Sequence, residues 1–358
     1  MRKIISLFLS GALLISALSA CQGTASKAPV ETWTFTDSCA REVEVPVEVN
    51  AVVPAGSPAQ MILYTLCPDK LQSLCSALTR TQKKYMDEKY YDLPVTGRVY
   101  STGGTVNFEE IISAAPDLII DMGEEKQDIR GDMDEVQRQT GIPVVFVESG
   151  LDSLADAYET LGKLVNEEER AAECAAYIRE VLAQAKEYAA QIPENERKRV
   201  LYAQGEYGTE VMGVGSLHAE VIDWAGGVNV AVLDSAVASE GGNEVSIEQI
   251  LLWDPEVIVL SPEANYSEIF DDPAWASVTA VKTGAVYEAP YGPYNWMDRP
   301  PSAQRVLAIQ WLGNLLYPEV FDYDMVTEAQ AFYRLFFHYE LTEEEAKELM
   351  SHSTYRED

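Results

Sequence analysis

Val106-Asn107-Phe108-Glu109-Glu110-Ile111-Ile112-Ser113-Ala114-Ala115-Pro116-Asp117-Leu118-Ile119-Ile120 matches, without a gap, a second stretch: Val245-Ser246-Ile247-Glu248-Gln249-Ile250-Leu251-Leu252-Trp253-Asp254-Pro255-Glu256-Val257-Ile258-Val259. Each copy predicts a short helix, a proline that cannot continue it, and then a strand. Asn107 and Ser246 stand three residues before Glu110 and Gln249, the spacing of a capping box. Leu118-Ile119-Ile120 and Val257-Ile258-Val259 are unbroken apolar runs, as parallel strands covered on both faces require.

The match extends outward on both sides. Ala51-Val52-Val53-Pro54 followed by Gly56-Ser57 resembles Arg199-Val200-Leu201-Tyr202 followed later by Gly215-Ser216. Downstream, Thr140-Gly141-Ile142-Pro143-Val144-Val145 and Thr283-Gly284-Ala285-Val286-Tyr287 read as the turn and strand that come next in each half. The sequence therefore predicts two α/β lobes, 43–150 and 196–318. The segment between them, 151–195, is rich in Ala, Glu and Leu. Leu154, Tyr158, Leu161 and Val165 recur at helical spacing, with an interruption expected near Asn166. A long helical connector of this kind favours small rocking motions over wide hinging. Residues 319–358 form a C-terminal helical extension. Phe332, Leu335, Phe336 and Tyr339 share a helical face expected to pack on the second lobe, and no chemistry is assigned to it.

At the N-terminus, Arg2 and Lys3 precede an uncharged apolar run from Ile4 to Ala20, the anatomy of a signal peptide over 1–20. The run closes in Leu18-Ser19-Ala20-Cys21, a pattern that resembles a bacterial lipobox, whose cysteine takes a lipid. Residues 21–42 then read as a flexible tether and a first strand. No other stretch is apolar enough to cross a bilayer. A formal charge of -32 repels phosphate backbones and argues against nucleic acid as a partner. Cys39, Cys67, Cys75 and Cys174 have no metal-ligand spacing and leave two readings open, a disulfide (Cys67 and Cys75 are the closest two in sequence) or buried thiols. Only His218, His338 and His352 are present, too scattered for a zinc site.

The repeat isolates Glu109 and Glu248. With capping assigned to Glu110 and Gln249, these two carboxylates are expected to point outward, one per lobe. Each can simply complement the positive end of its helix, worth about 0.3 to 1 kcal/mol. The same residue at the same place in both halves favours a matched pair with a function.

Together with Ala225-Gly226-Gly227-Val228-Asn229-Val230-Ala231 and Trp311-Leu312-Gly313-Asn314-Leu315-Leu316-Tyr317-Pro318, these features make residues 43–318 resemble a class III solute-binding protein of ABC importers, the group serving iron-siderophores, haem and cobalamin. The resemblance implies two Rossmann-like lobes with parallel-rich sheets joined by a long rigid α-helix. It also implies a monomeric receptor without catalytic residues or cofactor, and a permease dimer whose arginines meet one glutamate from each lobe, Glu109 and Glu248 here.

In such a fold, ligand sits between the lobes, at loops after the carboxyl ends of strands. Three loops combine glycine turns with aromatics: Gly97-Arg98-Val99-Tyr100, Gln204-Gly205-Glu206-Tyr207-Gly208, and Tyr291 to Ser302. With Ser57, the candidate ligand contacts are Arg98, Tyr100, Tyr207, Tyr291, Tyr294, Trp296 and Arg299, and Trp296 is the first choice. Tyrosine and tryptophan offer flat contact surfaces, and the arginines suit the oxygens of an anionic metal chelate. Ferric siderophore, haem, corrinoid and an oxyanion such as molybdate all remain open. A glycoside hydrolase using Glu109 and Glu248 would need the two carboxylates roughly 5 to 10 Å apart, which equivalent positions on separate lobes do not offer. An adhesin would have no reason to match them.

Overall fold

The computed structural model describes residues 30–99, 106–125, 128–233 and 242–351. Cys21 and Tyr100 lie outside the described residues.

The chain enters through an antiparallel hairpin of β1 (Thr32–Thr36) and β2 (Glu42–Pro46), so the first strand foreseen in 21–42 is one arm of a pair. At its turn, buried Arg41 bonds Asp37 at 2.9 Å and the Val144 carbonyl at 3.0 Å, which fastens the hairpin to the first lobe.

That lobe contains β3 (Val52–Pro54), α1 (Ser57–Leu66), α2 (Arg80–Lys84), α3 (Phe108–Ala114), β4 (Leu118–Gly123), α4 (Ile129–Thr140) and β5 (Val144–Glu148). Its strands are all parallel in the order β3-β4-β5, with Val52 opposite Leu118 and Ile119 opposite Val144. The second lobe holds β6 (Arg199–Gln204), β7 (Glu210–Val211), α7 (Glu220–Trp224), β8 (Val228–Asn229), β9 (Asn243–Glu244), α8 (Ile247–Trp253), β10 (Val257–Leu260), α9 (Tyr266–Asp271), α10 (Thr279–Thr283) and β11 (Val286–Glu288). Here β10 lies parallel between β6 and β11, while β7 and β9 add an antiparallel edge. The strand that ends each repeated segment is thus flanked by a parallel strand on each side and is buried throughout.

The lobes are joined by α5 (Leu154–Val165) and α6 (Glu168–Ala189). Asn166 takes a left-handed conformation (φ 56°), and its side chain bonds the Val49 N–H and the Val47 carbonyl. At that turn the chain doubles back, and α5 packs along α6 so tightly that a Cβ added at Gly162 would stand 2.4 Å from that of Ala171. The connector is therefore a helical hairpin. Only α6, with 22 residues and about 33 Å long, runs on toward the second lobe.

After α11 (Gln304–Leu316) come α12 (Met325–Phe332), a π-helical turn at Tyr333–Phe337, and α13 (Glu343–Ser351). The expectation that this segment packs on the second lobe is corrected, because it lies across both. His338 Nε2 is 3.3 Å from the Tyr64 carbonyl of α1, and the Tyr85 ring of the first lobe meets Tyr333 and Tyr339 edge-on. On the other side, Phe337 packs against Tyr294 and Tyr333 donates to the Gly292 carbonyl. Phe332, Tyr333, Phe336 and Phe337 share one buried face of this segment, whose last turn, Tyr333–Phe337, is π-helical. One hydrophobic core consequently runs unbroken from α1 through α5 and α6 to α11 and the C-terminal segment.

Candidate functional site

The repeated helices are built alike. Asn107 Oδ1 accepts from the Glu110 N–H at 3.0 Å, and Ser246 Oγ from the Gln249 N–H at 3.3 Å. Both helices end in a left-handed residue ahead of proline, Ala115 (φ 47°) and Asp254 (φ 41°). The capping box expected at Asn107 is only half made, because its own N–H donates to the Thr96 carbonyl at 2.7 Å instead of to Glu110. Exposure, not capping, separates the neighbouring glutamates: Glu109 and Glu248 stand at the second helical position and are exposed, whereas Glu110 is half-buried. Among the described residues neither carboxylate joins an ion pair. The Glu248 carboxyl is held below its usual range by its own backbone N–H and by the Ser246 hydroxyl.

Between the lobes, the structure gathers several of the candidate ligand contacts. Ser57 opens α1 after the Gly56 N-cap, and its Oγ lies 3.8 Å from Cys75 Sγ. The Cys75 N–H is fixed by Gln60 Oε1 at 2.7 Å. Arg98 is close enough to favour the Cys75 thiolate, although burial dominates and pushes that thiol up. From the second lobe, the 291–297 loop reaches the same place: the buried Tyr294 hydroxyl is held protonated first by burial and then by Cys75, with Tyr64 and Tyr291 also near. Ser57, Arg98, Tyr291 and Tyr294 thus belong to one seam. Tyr291 is 40 % exposed and Tyr207, on the loop after β6, is 62 % exposed.

Trp296, the first choice from sequence, is 1 % exposed and belongs to the core. Its indole N–H faces the Tyr333 hydroxyl at 3.4 Å, so the C-terminal segment covers the ring that a ligand would need. Tyr294 is buried by the same cover, against Phe337. Arg299 is partly committed: it bonds Glu263 at 3.2 Å and the Gln204 side chain, and lies 3.6 Å from Asp298.

Sequence reasoning missed a buried polar network beneath Arg299. The Asp298 carboxylate, fully buried, accepts from Tyr202 Oη at 2.8 Å and Gln204 Nε2 at 2.8 Å, and lies 3.3 Å from His218 Nδ1. Asn295 Nδ2 donates to Tyr202 Oη at 2.9 Å. A signal was present, since Tyr202 and Gln204 share one face of a strand whose neighbouring residues Val200, Leu201 and Ala203 are apolar. Arg305, also fully buried, pairs with Glu220 and donates to the Leu217 carbonyl at 3.0 Å. Burial lowers the Arg305 pKa and raises that of Glu220, and each partner opposes the other's shift. The Leu151 backbone, at the start of the connecting segment, also favours the Glu220 carboxylate, against the effect of burial.

The four described cysteines are free and buried. Burial lifts the Cys67 thiol to about 12 and those of Cys39 and Cys174 to about 11, so they are inert thiols at neutral pH. Among the described residues no group of three metal-ligating side chains converges. What the seam offers is donors, guanidinium groups and ring faces, the means of recognition.

The family described as periplasmic binding protein matches residues 64–291. The molybdate-binding protein MolA of Haemophilus influenzae is 25% identical over 330 residues, covering 85% of this chain and 90% of its own length. The Fe(3+)-citrate-binding protein YfmC of Bacillus subtilis is 25% identical over 211 residues, 58% of this chain and 64% of its own. An ABC transporter solute binding protein from Sulfurospirillum deleyianum superposes with a TM-score of 0.81 at 30% identity, over 89% of this chain and 99% of that one.

Proposed function

The chain belongs to the periplasmic binding protein family, solute receptors of ABC importers that work outside the cytoplasm, and on that premise we propose that it captures a metal chelate, of the ferric siderophore class first, between its lobes and delivers it to a permease dimer through Glu109 and Glu248. Haem and corrinoids fall within the same reading. The observation that carries it is the loop bearing Tyr291, whose Gly292 packs against the Tyr85 ring of the first lobe and whose Tyr294 lies near Cys75, the thiol beside Ser57 and Arg98, with Tyr207 exposed on the loop after β6 and Arg299 partly exposed above the polar network. Guanidinium groups and phenol faces suit a large anionic chelate. Cys21 is proposed as the lipid attachment that keeps the receptor near its permease and raises its effective concentration there.

A second reading, a molybdate-type oxyanion, is supported by Arg305, whose Nη2 has no hydrogen-bond partner among the described residues, and by the likeness to MolA.

The test is a panel of ferric citrate, a ferric hydroxamate, haem, cobalamin and molybdate, read as a rise in Tm. At a hundredfold excess over Kd, a true ligand adds about 2.7 kcal/mol of stability. Stabilisation by molybdate alone would replace the chelate reading with the oxyanion one, and indifference to all five would remove both. In parallel, Glu109→Lys with Glu248→Lys should abolish uptake and leave the Tm response intact; a lost Tm response would end the docking role.

A further inference from the structure

Gln204 closes β6, at the carboxyl end of a strand that runs parallel to β8 and β10, the end at which an α/β sheet receives its ligand. Its side chain is fully buried between two groups of opposite kind. The Asp298 carboxylate on one side only accepts, and the Arg299 guanidinium on the other only donates. An amide so placed has one satisfactory orientation: Nε2 donates to Asp298 Oδ2 at 2.8 Å, and Oε1 accepts from Arg299 Nη2. Turned over, it would set oxygen against oxygen and N–H against N–H. Asp298 is itself held for this task. Its other oxygen accepts from Tyr202 Oη, Tyr202 accepts from Asn295 Nδ2, and Asn295 Oδ1 accepts the Met297 N–H at 2.9 Å, so the network is anchored in the loop that carries Arg299.

We infer that Gln204 is a positioning residue for anion capture: its carbonyl, aimed by Asp298, fixes the Arg299 guanidinium where an anionic oxygen of the solute can meet it. The inference rests on the capture of an anionic solute proposed above and adds what aims the charge. Asp298 lies 3.6 Å from Arg299 Nε, so one carboxylate already offsets the guanidinium from beneath. A second at position 204 would orient Arg299 too, but it would cancel the charge that an anion needs and stand beside Asp298 as a like charge in a buried site. A neutral carbonyl orients without cancelling. A further partner of Arg299 is Glu263, 3.2 Å from Nη1; their side chains are 37 % and 44 % exposed, and a pair at such a rim is weak and readily exchanged. Carboxylate, catecholate or oxyanion oxygens of a solute can take the place of Glu263 while Gln204 keeps the guanidinium in position.

The experiment is a double-mutant cycle on affinity. Gln204→Met removes the acceptor at nearly the same volume, and Asp298→Asn keeps the shape but removes the charge that fixes the amide. Each is made in the full chain, alone and with Arg299→Met, and titrated calorimetrically with ferric citrate, haem, molybdate, a neutral ferric hydroxamate and cobalamin. One of the first three, the anions, should bind, and Gln204→Met, Asp298→Asn and Arg299→Met should each raise its Kd about tenfold. Added to Arg299→Met, the other two should raise it no further, to within about twofold. A merely structural role would weaken binding by the same factor with and without Arg299. That result, or an unchanged Kd in both Gln204→Met and Asp298→Asn, would overturn the inference and leave solute capture standing. So would binding that Arg299→Met does not alter, or binding confined to the hydroxamate or cobalamin. If Gln204→Met does not fold, the Asp298→Asn arm decides alone. Binding of none of the five would remove the capture reading and this inference together.

Discussion

The two repeated helices and the 291–302 loop use comparable side chains to opposite ends. On α3 and α8 the glutamates Glu109 and Glu248 stand in water and recur at the same place in both halves. In the loop, Tyr294, Trp296 and Asp298 are buried, tied to the core, and have no counterpart in the first lobe. What recurs is free to face a symmetric partner. What does not recur shapes the one seam between the lobes.

This contrast can be broken by exchanging the costs. Trp296→Ala should lose about 3–5 kcal/mol of stability, as a large core side chain does, measured as a fall in the urea midpoint. A loss of ligand affinity without that fall would return Trp296 to the ligand site. Asp298→Ala should follow at about 2–3 kcal/mol, because it strands Tyr202 and Gln204 in a buried site. Stability changes within about 0.5 kcal/mol would show that the network is wet and loosely held. The smallest effect is expected at His338. Its pKa is lowered by burial, then by the Arg170 charge, against the opposing Tyr64 and Thr65 backbone and Asp69. The unfolded chain therefore takes up a proton near pH 6.5 that the folded one refuses, so this contribution is present above that pH and lost as pH falls through and below it. Tm measured from pH 7.5 to 5.5 should decline less steeply in His338→Asn, whose side chain tolerates the left-handed backbone there (φ 55°); equal slopes would free His338 of any such part.

The frame of the fold was legible because its signals are local. An N-cap three residues from its partner, a proline stop and an apolar run lie within fifteen consecutive residues, and the chain states them twice. The seam was legible only in part. Ser57 opens α1 beside Cys75 and Tyr291 stands exposed on its loop, but Trp296 lies in the core, because an aromatic ring in a Gly/Pro loop reads the same whether a ligand or a later segment of the chain covers it. What covers it is Tyr333, 37 residues further on, a distance across which no local pattern carries a signal. The cysteines were ambiguous for the same reason, since only the packing around Cys67 and Cys75 decides between a bond and two thiols.

The C-terminal clasp also sets a timetable. Its contacts with the first lobe join residues 264 and 274 positions apart, Lys84 with Glu348 and His338 with Tyr64, among the longest loops this chain can close. Each lobe can assemble from its own neighbouring strands while the rest of the chain is still to come. The seam cannot, because the rings that cover Tyr294 and Trp296 follow both lobes in the chain, so it closes only after both lobes have been made.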